Sequence, residues 1–139
     1  MAALYRTYRP LDFGHWAAHK LESLTEHRLR HGEAVGIGLA LDTRYSVEAG
    51  LPEPAAGDRI ITLLGALGFR LYDPALELRN EAGELRVLEG LREFREHLGG
   101  ELTISLLRAP GQAVNVHEMD LARVQGCIAW LSNHYRDAA

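Results

Sequence analysis

The chain has 139 residues and a mass of 15.4 kDa, which is room for one domain with one core and not for two. With 47% hydrophobic and 24% charged residues it is neither a disordered tail, a collagen-like repeat nor a coiled-coil rod. A net charge of −4 without a basic stripe excludes the footprint that a phosphate backbone requires. Cys127 stands alone, so no internal disulfide is possible, and no apolar run nears the ~20 residues of a membrane span. The first residues carry neither a signal-peptide core nor a transit-peptide pattern, and the expectation is a soluble cytoplasmic protein with no nucleic-acid and no membrane partner.

Residues 1–11 have weak periodicity and read as an extended or poorly ordered lead-in to a helical domain over 12–139. Asp12 is a candidate N-cap for a first helix to Leu24, with Ala17, Leu21 and Leu24 on one stripe. After a polar link, Glu26 to Arg30, a second helix runs from about His31 to Ala49 and stops at Gly50, ahead of Pro52 and Pro54. Its first half, Ala34 to Leu41, is apolar on every side, the pattern of a helix in the middle of a bundle. A third helix starts near Pro54 and carries Ile60, Leu63, Leu64 and Leu67 before Gly68. A loop through Tyr72, Asp73 and Pro74 leads to a fourth helix, about Glu84 to Leu98, with the stripe Val87, Leu91, Phe94 and Leu98, and its acidic residues read as a solvated face.

Beyond Gly99 and Gly100 the period changes to alternation: Leu102, Ile104 and Leu106 before a turn at Pro110-Gly111, then Val114 and Val116, which is a short β-hairpin. Asp120 caps a last helix from Leu121 to about Tyr135, with Leu121, Val124, Ile128 and Leu131 on its buried face. The predicted fold is mainly α, about five helices with one hairpin before the last.

Four of the seven histidines lie between Phe13 and His31. His15 and His19 are four residues apart and share a helix face, and His31 opens the helix that returns beside the first. Three neutral imidazoles suit Zn²⁺, whose catalytic sites use three protein ligands and one open position. The same His-x3-His pair also occurs on amphipathic helices that bind nothing. Gly14 and Gly32 flank His15 and His31, where a backbone without Cβ allows close approach, while Gly36 and Gly38 are explained equally well by helix packing. Trp16 and Trp130 read as core or interface anchors, Cys127 as a buried inert thiol, and His27, His117 and His134 as surface or loop residues.

The segments Asp12-Phe13-Gly14-His15-Trp16-Ala17-Ala18-His19-Lys20-Leu21-Glu22 and Leu29-Arg30-His31-Gly32-Glu33-Ala34-Val35-Gly36-Ile37-Gly38 resemble the C-terminal domain of the dehydroquinate-synthase-like sugar-phosphate cyclases. They match that family's Gly-His-x3-His helix and its His-Gly-Glu-Ala-Val helix. Residues Arg9 to Trp16 and Phe94 to Gly100 look closest to the branch found in Ebo-type gene clusters. The resemblance implies Zn²⁺ ligands at His15 and His31, with His19 facing the same cleft as the catalytic residue that holds substrate or relays a proton. It also implies substrate-side roles for Asp12, which stands where typical members have asparagine, for Lys20, the only lysine, and for Arg95 and His97, near the family's lysine pair before the hairpin.

In the family a glutamate ligand and the NAD-binding half lie upstream of this portion. NAD removes and returns a hydride, phosphate leaves a sugar-phosphate substrate, and an intramolecular aldol reaction closes the ring. The implied chain is therefore the metal- and substrate-binding half without an NAD-binding domain. It is expected to be inactive alone, weak in zinc binding, and inclined to self-association or to pairing with a separate NAD-binding half. Rival readings are the metal-binding half of an iron- or zinc-dependent alcohol dehydrogenase and a standalone helical interaction module with vestigial histidines.

Overall fold

The computed structural model describes residues 13–136, the side chain of His97 excepted. The lead-in over 1–11 and Asp12 lie outside the described residues. Five α-helices and one hairpin follow in order: α1 His15–Leu24, α2 His31–Glu48, α3 Pro54–Ala66, α4 Glu89–His97, β1 Ile104–Ala109, β2 Gln112–Val116 and α5 Leu121–Tyr135. The architecture is the mainly helical one that the periodicity predicts.

Helix α2 is the axis of the fold, with α1, α3, α5 and β1 all packed on it. Its small residues make this possible: Ala34, Gly36, Gly38 and Ala40 are buried together with Ile37, Leu41 and Tyr45. A Cβ on Gly38 would lie 2.0 Å from the Gly14 carbonyl oxygen, so the start of α1 rests directly on the α2 backbone. Gly36 is pressed by the Phe69 ring in the same way.

The reversal between α1 and α2 is tightly made. Thr25 Oγ1 donates to Leu21 O at 2.8 Å and accepts from Leu29 N at 3.3 Å, while Glu26 and His27 take left-handed backbone angles. Arg28 pairs both oxygens of Asp73, at 3.1 and 2.8 Å. Burial raises the Asp73 carboxyl, but the Arg28 bonds and the Ala75 N–H outweigh it and hold the group below the usual carboxylate range.

Strands β1 and β2 pair antiparallel in the register Ile104↔Val116 and Leu106↔Val114, with an irregularity between Leu107 and Ala109. Ile104 and Leu106 enter the core, worth roughly 1.5–3 kcal/mol each. The hairpin is hooked to α2 by Ser46 Oγ, which accepts from Leu107 N at 3.0 Å, and Tyr45 Oη accepts from Asp120 N at 2.9 Å. As predicted, the Asp120 side chain caps α5, accepting from Arg123 N.

Several local expectations are corrected. The N-cap of α1 is Gly14, in a left-handed conformation with φ 79°, and not Asp12. Helix α4 begins at Glu89, because Asn80 Oδ1 folds residues 80–84 into a turn, Arg79 and Leu85 bridge, and a 3-10 turn, Arg86–Leu88, intervenes. The face of α3 toward α2 is Ala56, Gly57, Ile61 and Leu64, while Leu63 and Leu67 face water. The contact is set by Gly57, whose missing Cβ leaves room for Val47, and not by the large apolar stripe. Leu121 is half exposed, the buried face of α5 being Val124, Cys127, Ile128 and Leu131. No helix among the described residues is long and apolar enough to cross a membrane.

Candidate metal centre

His15 is the first residue of α1 and His31 the first of α2; the start of α1 rests beside Gly38 and Asp42 of α2, and its last turn, with Glu22, reaches His31. The first turn of α2 is fixed by Glu33, whose carboxylate accepts from Arg30 N at 2.9 Å. The first turn of α1 is fixed by Asp42, buried in the middle of α2. Its two oxygens accept from Gly14 N at 3.0 Å and from Trp16 Nε1 at 2.8 Å. Burial pushes the Asp42 carboxyl up to about 7, against the pull of these two donors.

The three rings form a triangle. Centroid separations are 5.7 Å for His15–His19, 5.8 Å for His15–His31 and 6.1 Å for His19–His31. Tetrahedral ligation of one ion by three imidazoles needs roughly 5 Å between centroids, given metal–nitrogen bonds of about 2 Å. The rings are therefore gathered to within about an ångström of that spacing. Yet among the described residues no three His, Cys, Asp or Glu side chains are placed to hold a metal ion.

The chemistry of the donor set is set by its partners. His15 Nδ1 lies 3.2 Å from Phe13 O and His31 Nδ1 lies 3.1 Å from Glu22 Oε1. A carbonyl and a carboxylate oxygen only accept, so both rings carry a hydrogen on Nδ1, and the neutral form of each keeps its lone pair on Nε2. Imidazoles whose far nitrogens are held by backbone oxygen and by carboxylate are the donor chemistry that zinc takes. They fit the ion as two of its ligands. His19 is 62% exposed, with Nδ1 3.6 Å from Glu22 Oε2.

Next to His19 opens a cavity of about 240 Å³ lined by Trp16, His19, Lys20, Gly90, Glu93 and Phe94. Lys20 is only 8% exposed, and Nζ lies 2.9 Å from Glu93 and 3.9 Å from Glu89. These carboxylates of α4 thus bind α1, where the sequence reads a solvated face. Arg95 lines a different, larger cavity, of about 630 Å³, together with Arg92 and His117. The described side chains therefore bring together His15, His19 and His31, place Lys20 beside His19 at the cavity wall, and leave Arg95 apart; Asp12 and the His97 side chain lie outside them. Sequence reasoning missed Glu22 and Asp42. Glu22, three residues after His19 on the same helix face, carried a legible signal, whereas Asp42 did not.

The other singled-out residues are structural. Trp16 is 1% exposed, and Trp130 stacks on His134 with its centroid 4.1 Å away. Cys127 is buried, its thiol pushed up by burial and by Glu48. Gly32 packs against nothing within 4 Å.

A family profile described as 3-dehydroquinate synthase C-terminal matches residues 5–83. The chain belongs to the 3-dehydroquinate synthase C-terminal family. It is 35% identical over 120 residues to a 3-dehydroquinate synthase of Bradyrhizobium sp., an alignment that covers 83% of this chain and 31% of that protein. A 2-epi-5-epi-valiolone synthase of Streptomyces glaucescens is 39% identical over 67 residues, covering 48% of this chain and 17% of the relative. The fold matches a 2-epi-5-epi-valiolone synthase of Streptomyces hygroscopicus subsp. jinggangensis, solved with NAD⁺ and Zn²⁺ bound. The TM-score is 0.80 at 26% identity, over 93% of this chain and 34% of that one. The chain spans about a third of the length of that 3-dehydroquinate synthase and of the solved valiolone synthase.

Proposed function

We propose that this chain is the metal- and substrate-binding portion of a sugar-phosphate cyclase of this family, with His15 and His31 as two protein ligands of Zn²⁺. The observation that carries the reading is the approach of the two rings, 5.8 Å between centroids, each with Nδ1 engaged and with no partner for Nε2 among the described residues. The third protein ligand, a carboxylate in the family pattern, and the NAD-binding half come from outside the described residues. Zinc, when bound, polarises the substrate's hydroxyl and carbonyl oxygens, and NAD supplies the redox chemistry.

The chain's own residues do the rest. His19 turns Nδ1 toward Glu22, so Nε2 is the atom that exchanges a proton with substrate. Trp16 and Phe94 wall the adjacent cavity and keep water from one side of the reacting group. Lys20, held by Glu93 and Glu89, keeps α4 closed on α1 at that wall.

Zinc titration of the chain against a chromophoric chelator tests this. The wild type takes up one equivalent; His15→Ala and His31→Ala each weaken uptake by at least about tenfold. His19→Ala keeps metal affinity within about threefold but abolishes the turnover of a heptulose phosphate that wild-type chain gains when mixed with an NAD-binding half. A wild-type chain with no saturable zinc uptake overturns the proposal.

A further inference from the structure

The geometry assigns Glu22 as a positioning residue of the centre: its carboxylate sets which nitrogen His31 presents. This rests on the reading of His31 as a ligand for its purpose, but the structural claim stands on the metal-free protein. Glu22 lies in the last turn of α1, and its side chain is 15% exposed while the two rings that it faces are 62% and 58% exposed. It is the sheltered member of an otherwise open cluster. Oε1 accepts from His31 Nδ1 at 3.1 Å, across the gap between α1 and the first residue of α2. Oε2 faces His19 Nδ1 at 3.6 Å, too long for a hydrogen bond.

One carboxylate thus faces two imidazoles unequally, and the one it bonds is the one that opens α2. Three consequences follow from elementary chemistry. The acceptor fixes the hydrogen on Nδ1 of His31, so only Nε2 offers a lone pair to an ion. A ring anchored at Nδ1 also loses its freedom to rotate, which an ion would otherwise have to restrict on binding. Finally, the carboxylate raises the electron density of the ring that it holds, strengthening the donor at Nε2. His15 gets the equivalent support from the Phe13 carbonyl, a backbone group that no side-chain substitution removes. The two rings are therefore held by different means, and that asymmetry supplies an internal control.

The experiment is tautomer assignment by long-range ¹⁵N–¹H correlation on the ¹⁵N-labelled, metal-free chain, at a pH where the rings are neutral. In the wild type His15 and His31 both carry the hydrogen on Nδ1. In Glu22→Ala, His31 moves to the Nε2–H form that free imidazole side chains favour, His15 is unchanged, and zinc affinity falls roughly 10–100-fold. Glu22→Gln, whose amide oxygen still accepts, restores the His31 tautomer and most of the affinity. Should His15 shift as well, the variant has lost its fold, and Glu22→Leu, which keeps the bulk of the side chain and removes the acceptor, is read in its place. A His31 that keeps Nδ1–H in Glu22→Ala, or that carries Nε2–H in the wild type, overturns the assignment. If the tautomer moves as stated but the wild type takes up no zinc, the positioning role holds and the metal reading fails.

Discussion

At the scale of single residues, the site depends on groups buried behind it. Asp42 is fully enclosed, yet it receives two donors that favour its charged form, and burial still wins, pushing the carboxyl up to about 7. The sign of the linkage follows. Between the ordinary unfolded value near 4 and the folded value near 7, the folded state binds the extra proton, so this group's contribution is complete below about pH 4 and is lost as pH rises through 7. In Asp42→Asn the titration disappears, and the amide nitrogen opposes one of the two donors, at a cost of about 1–3 kcal/mol. The expected result is a wild type that is more stable than Asp42→Asn near about pH 4 and less stable than it by about pH 8, because about three pH units of linkage outweigh the cost of the amide, measured by urea unfolding at each pH. A constant gap would mean that Asp42 keeps one charge state throughout. None of this is legible in the sequence: Asp42 sits in an apolar helix with no local partner, and only the return of α1 onto α2 delivers Gly14 and Trp16 to it. The histidines, by contrast, are legible because helical period alone places His15 and His19 on one face.

At the scale of elements, spacing marks where helices begin and end when Gly, Pro or an Asx cap marks the boundary, as at Pro54, Gly50 and Asp120. It fails where a side chain folds back locally, as Asn80 does ahead of α4, and where small residues rather than large ones make the contact, as Gly57 does on α3. Glycine choice along α2 gives a paired prediction. A Cβ at position 38 would overlap the Gly14 oxygen at 2.0 Å, and that oxygen belongs to backbone that cannot swing aside. Gly38→Ala therefore costs about 1–3 kcal/mol or more and drags the start of α1, and His15 with it, off its seat. Gly32 has nothing within 4 Å and an ordinary helical backbone, so Gly32→Ala gains up to about 1 kcal/mol through helix propensity and a less flexible unfolded chain. Thermal melts of the two variants should move in opposite directions; a Gly38→Ala melt that does not fall would show that the α1–α2 contact is looser than the backbone places it.

At the scale of the whole molecule, the core is continuous from Trp16 through α2 to Leu131, but α3 presents a second apolar surface to water. Leu63 is 57% and Leu67 66% exposed, one helical turn apart, and Phe69 beyond them is 38% exposed. Leu residues scattered singly on a surface need no explanation, whereas adjacent ones form a patch that drives association when nothing covers it. The chain spans about a third of the length of the relatives described above, and this patch and the histidine cluster both stand open among the described residues. A net charge of −4 gives only modest repulsion between copies. Because both leucines keep most of their area in water in the fold, replacing them with glutamine removes little core packing and should change stability by no more than about 0.5 kcal/mol each. The Leu63→Gln/Leu67→Gln chain is accordingly expected to melt within a few degrees of the wild type, while sedimentation shows the onset of association moved to higher concentration. Unchanged association with an unchanged melt would place the adhesive surface elsewhere, and a large fall in melting temperature would show that α3 turns its other face to α2.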